Sequence, residues 1–144
     1  MPTDAHRVRT DNDIYEPFKI AQAYRVGDLI FVSGQAALDD HGVVVGPGDF
    51  AAQARQSIES LARVLEAGGS GLDKLVKVTI FVTDISEFET VVKLREEYFT
   101  PPYPADTICA VKSLALPGLM FEIEAIALAD GEVLDTEDDR RNRH

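Results

Sequence analysis

The residues best suited to chemistry lie in the last apolar stretch. Glu122 and Glu124 alternate there with Phe121, Ile123, Ala125 and Ala127, so both carboxylates project from one side of an extended strand. A carboxylate crowded by a like charge or withdrawn from water keeps its proton to higher pH, and such a group can exchange protons with a substrate or a water. The bland reading of two acids at period two is the solvated face of a strand. Ser33-Gly34 closes another apolar run and offers a hydroxyl beside a backbone free of a side chain.

Other chemistries lack their residues. The histidines are His6, His41 and His144, and Cys109 is the only cysteine. This argues against a His-rich metal centre, a multi-Cys zinc site, an internal disulfide or a Ser/His/Asp triad. Cys109 has no cation or helix start near it in sequence to lower its pKa, so it reads as a small buried residue. Gly46-Pro47-Gly48 and Gly68-Gly69-Ser70-Gly71 are turns without phosphate-loop spacing.

The elements that must position these groups follow from periodicity. Leu29–Val32 after Gly27-Asp28 reads as a strand, Asp39–Gly42 as a turn and Val43–Val45 as its hairpin partner. Asp49 offers an N-cap to a helix over residues 50–67, with Ala54, Ile58, Leu61 and Leu65 on one face and Gly68-Gly69 as its stop. Leu75–Thr83 alternates as a strand. Ser86-x-x-Glu89 has capping-box spacing and opens a second helix that ends at Pro101-Pro102. Asp106–Lys112 and Met120–Leu128 are the last two strands. The order ββαβαββ predicts an α+β, two-layer domain, with both helices on one face of a mixed sheet. The opposite face, half apolar, would need cover from other subunits.

Residues 1–16 read as a polar, irregular segment, 17–129 as the folded domain and 130–144 as an acidic, flexible tail. With 144 residues, one domain is expected. The 25 acidic against 14 basic residues give a net charge of −11, most of it before residue 130. Such a chain repels nucleic acid unless it gathers a basic patch, and none is visible. No apolar run is long enough to span a membrane. The polar start Met1-Pro2-Thr3-Asp4 does not read as a signal peptide, which points to the cytoplasm.

Taken together, Arg25–Gln35, Gln53–Ser57, Val76–Asp84, Pro104-Ala105 and Glu122–Ala127 resemble the RidA/YjgF family of enamine/imine deaminases, in order and spacing, over residues 17–129. The resemblance implies a chorismate-mutase-like fold and a homotrimer whose inter-subunit clefts bind a small molecule without metal or organic cofactor. The implied chemistry is hydrolysis of 2-imino acids to 2-keto acids and ammonia. RNA cleavage is also attached to the family name, and the negative charge argues against it here. By the same resemblance, Glu122 orders the attacking water, and Ser33 and Gly34 orient substrate or water. Ile20, Val92, Thr107 and Ile108 fall at substrate-contacting positions.

Two departures stand out. Ile20 replaces a family tyrosine, and Val92 a residue that is often asparagine. A larger one is Asp106, which stands where the family has the arginine that holds the substrate carboxylate. Asp106 and Glu122 together would repel such a carboxylate, so the expected substrate is an imine or enamine other than a simple 2-imino acid, with these two residues as acid/base pair. The alternative is a ligand-binding trimer without catalysis. Lys112 and Arg95 could supply a cation from elsewhere, although long basic side chains are more often solvated.

Overall fold

The computed structural model describes residues 2–136. Six strands form one mixed sheet: β1 (Ala5–Val8), β2 (Ala23–Val26), β3 (Leu29–Ala36), β4 (Leu75–Val82), β5 (Ala105–Ala110) and β6 (Phe121–Leu128), in the spatial order β1-β2-β3-β6-β4-β5. Two helices, α1 (Phe50–Ala67) and α2 (Phe88–Tyr98), complete the fold. Among the described residues only β4 and β5 pair in parallel, joined by the crossover through α2. The α+β layout of two helices against a mixed sheet is as expected.

The core explains why the helices share a face. Ile30, Val78, Ile80, Val82, Phe121 and Ile123 project from alternate positions of neighbouring strands and meet Ala54, Leu61 and Leu65 of α1 and Val91 and Leu94 of α2. Asp49 caps α1 by accepting a hydrogen bond from the Ala52 amide at 3.1 Å. Gln53, fully buried in α1, donates to the Gly118 carbonyl and accepts from the Met120 amide, each at 2.8 Å. One helix side chain thereby fixes the loop that enters β6.

Three local expectations are corrected. Val43–Val45 is not a full strand: Val44 forms a single bridge with Leu38, while the hairpin is β2–β3 through Gly27-Asp28. The Asp39 side chain, accepting from the His41 and Val43 amides, holds a tight turn that leaves little length to pair. Within the segment read as irregular, Ala5–Val8 pairs antiparallel with β2; only Val8 of this strand is buried, so no apolar alternation marks it. Finally, Ser86 does not cap α2. Asp84 accepts from the Ser86 amide and caps a 3₁₀ turn, Ile85–Glu87, that leads into the helix at Phe88. The acidic-tail reading covers residues 130–144, of which 137–144 lie outside the described residues.

Candidate functional site

Strand register assigns each candidate side chain to a face. Glu122 pairs with Phe81 and Glu124 with Thr79, so both glutamates stand on the face opposite the helices. Their strand is anchored by the alternate, buried Phe121, Ile123 and Ala125. Asp106 pairs with Val78 and Ile108 with Ile80, which puts both on the helix-covered face. Thr107 pairs with Thr79 on the open face, where it accepts a hydrogen bond from Lys77 at 3.1 Å. Asp106 and Glu122 therefore do not form a carboxylate pair within one chain. The alternation of a strand, combined with the register of β4 between them, sends them to opposite sides.

Around Glu122 the chain builds a groove of about 510 Å³ lined by Ile20, Ser33, Gly34 and Glu122, and by the apolar Leu116 and Leu119. A bulge shapes its floor. Val32 pairs with Ala125 and Gln35 with Ile123, so Ser33 and Gly34 together oppose the single residue Glu124. Gly34 lies directly beneath the Glu122 carboxylate. A Cβ on Gly34 would stand 2.7 Å from Glu122 Cδ, closer than two carbons can approach. The Ser33 hydroxyl donates to the Ala21 carbonyl at 2.6 Å. Its proton is committed, and its oxygen keeps acceptor capacity. Half-burial lifts the Glu122 pKa above the ordinary value, with repulsion from Glu124 adding to it.

Tyr15 is a groove residue that sequence reasoning missed. Its buried ring lines the groove and its hydroxyl donates to the Gly34 carbonyl. Burial pushes the phenol up to about 12, against a backbone hydrogen bond at Ala36 that lowers it, and the charge of Glu122 raises it further. Tyr15 is a neutral donor throughout the physiological range. Its only local sign in the sequence is Asp13 two residues earlier, whose side chain accepts from the Tyr15 amide at 3.0 Å.

Val92 and Asp106 line a separate cleft of about 330 Å³ between α2 and the edge strand β5. Arg95, one turn along α2 from Val92, enters the same cleft, its Nε 2.9 Å from Asp106 Oδ2. Lys112 is exposed. Thr107 and Ile108 line neither cavity. Ile108 instead packs against the core. Among the described residues no three His, Cys, Asp or Glu side chains gather as a metal site, and no helix is long and apolar enough to cross a membrane.

Residues 14–129 match the family model described as Endoribonuclease L-PSP. The chain belongs to this family, the RidA/YjgF proteins. It is 46% identical over 108 residues to Protein mmf2, mitochondrial, of Schizosaccharomyces pombe, covering 74% of this chain and 84% of that one. It is 36% identical over 109 residues to the 2-iminobutanoate/2-iminopropanoate deaminase of Mus musculus, covering 75% and 79%. The crystal structure of RidA from the Antarctic bacterium Psychrobacter sp. PAMC 21119 superposes with a TM-score of 0.79 at 30% identity, over 85% of this chain and 98% of that one. The family resemblance in sequence and the overall architecture thus agree.

Proposed function

We propose that this RidA/YjgF protein hydrolyses a small imine or enamine in a cleft shared between subunits of a homotrimer, with Glu122 as the general acid/base and no cofactor. The observation that carries the reading is the Glu122 carboxylate itself. It is half-buried, raised in pKa, backed by Gly34 and open to an apolar groove. A carboxylate so placed takes a proton from water as the water oxygen bonds to the C=N carbon. It returns that proton to nitrogen to give the carbinolamine, then moves the hydroxyl proton to the same nitrogen, so that the C–N bond breaks as the carbonyl forms and ammonia leaves. The name of the mouse relative, a 2-iminobutanoate/2-iminopropanoate deaminase, supports the same reaction class.

The trimer is proposed on the open sheet face. Tyr24 and Phe31, adjacent in register, are 43% and 42% exposed there, with Phe81 and Ile126 on the same face. Such a surface gains by burial against other subunits. A shared cleft would also bring the Glu122 groove of one subunit toward the Asp106 cleft of another, whose residues a single chain keeps apart. In this arrangement Ile20, Ser33, Gly34 and Val92 line the substrate, and Thr107 and Ile108 contribute through their backbone. A cytoplasmic setting belongs to the proposal as well, although two relatives are mitochondrial by name.

A second reading, ligand binding without turnover, is favoured by Asp106 at the position where the resemblance places arginine. One experiment separates the two: imines generated in situ from amino acids, with ammonia and carbonyl product followed over time. Turnover that falls by about 10²–10⁴ in Glu122→Gln supports hydrolysis, because general acid/base groups contribute that much. No turnover with any imine supports the binding reading, and a loss under about tenfold removes Glu122 from the chemistry. RNA cleavage is the least supported activity, given the net charge of −11.

A further inference from the structure

Asp106 and Glu96 both line the cleft between α2 and β5 and would make it hostile to an anion, but Arg95 lines it with them. Asp106 Oδ2 is 2.9 Å from Arg95 Nε, and the two side chains are only 15% and 22% exposed. Arg95 Nε and both Asp106 oxygens are buried without an aligned hydrogen bond, so the contact is an ion pair drawn together by charge. The guanidinium also lies over the Phe88 ring, its carbon 5.6 Å from the ring centroid. A carboxylate on one side and an aromatic face on another hold the arginine in place. The Nη1 and Nη2 groups make no hydrogen bond among the described residues. A guanidinium presents two edges wide enough for a carboxylate, and the Nε side is turned to Asp106.

We propose that Arg95, positioned by Asp106 and Phe88, is an anion-binding residue of this protein, and that the ligand taken by its cleft carries a carboxylate. The cation comes from α2 rather than from the edge strand. Asp106 is then a positioning residue, not half of an acid/base pair, and the aspartate no longer argues against an acidic substrate. This rests on the hydrolase reading for the identity of the reaction, while the binding itself can be read without turnover.

The test uses 2-oxobutanoate, a keto acid of the product class, and its amide 2-oxobutanamide, which differs in the carboxylate. Their dissociation constants are measured by calorimetry on the full-length protein. The parent is expected to bind the acid at least about tenfold more tightly than the amide, because only the acid offers the guanidinium a charged acceptor. Arg95→Met is expected to abolish that preference. Arg95→Lys, which keeps the charge but loses the fork, is expected to lose most of it and serves if the methionine variant does not fold. The double variant Arg95→Asp/Asp106→Arg, with the charges exchanged, is expected to regain a preference for the acid. Arg95→Met and Arg95→Lys proteins that fold and keep the parent preference overturn the proposal. If the parent turns over no imine yet binds the acid through Arg95, the hydrolase reading fails and this one stands. Where turnover is present, Arg95→Met should raise KM for carboxylate-bearing imines, whereas Glu122→Gln lowers kcat.

Discussion

Glu122 owes its properties to neighbours that differ in kind. Half-burial in the groove disfavours its charge most, and Glu124, two residues along the same strand face, adds repulsion. The folded chain consequently holds this proton at pH values where the unfolded chain has released it. Stability falls as pH rises from the ordinary glutamate range through the raised folded value, and above that window the full penalty persists. Glu122→Gln is therefore expected to melt higher than the parent at pH 7. The gain should vanish below about pH 4, where both states of the parent are protonated. Melting curves of the two proteins across this range check the sign. The Arg95–Asp106 pair shows the complementary case, in which a charge that looks misplaced in the sequence is met by its opposite from another element.

At the scale of elements, α1 does more than cover the sheet. Through Gln53 it holds both the carbonyl of Gly118 and the amide of Met120, and so sets where Leu116 and Leu119 meet the groove and where β6 begins. Gln53→Leu keeps the volume but removes the buried partner of these two part-buried backbone groups. The expected cost is about 1–3 kcal/mol of stability, read as a lower urea midpoint with an unchanged slope. The bulge in β3 has an equally local role. It places two residues opposite one, so that Ser33 and Gly34 both border the groove in which Glu122 stands. The same backbone at Gly34 takes the hydroxyl bond from Tyr15.

For the whole molecule, the sheet has a covered face and an open one. Phe31 lies at the centre of the open face, between Tyr24 of β2 and Ile126 of β6. If that face is the trimer interface, the parent should have a mass in solution three times the 15.8 kDa of one chain. Phe31→Glu should shift it to the single-chain mass, because a charge would be buried unpaired in each copy. Light scattering after size exclusion measures both. Loss of imine turnover in the same variant, with the chain still folded, would tie the activity to assembly.

Much of the fold was legible because it is written in short-range periodicity. The alternation of Val76–Val82 and Phe121–Ala127, the 3–4 spacing along Ala54–Leu65 and the cap at Asp49 each encode one element and its buried side. The β1 strand was not legible, since three of its four residues are exposed and carry no pattern. The site was only half legible. Alternation alone put Glu122 and Glu124 on one side of their strand, while the roles of Glu122, Ser33, Gly34 and Ile20 came from the family resemblance. Tyr15 enters the groove from a stretch without periodicity. The pairing of Arg95 with Asp106 joins residues eleven apart on different elements. Sequence alternation determined which residues share a face of each strand. The register of β4 between β5 and β6, and the packing of α2 over the edge strand, decided that Asp106 faces an arginine and not Glu122. Contact between elements depends on how they pack, and no local pattern carries that information.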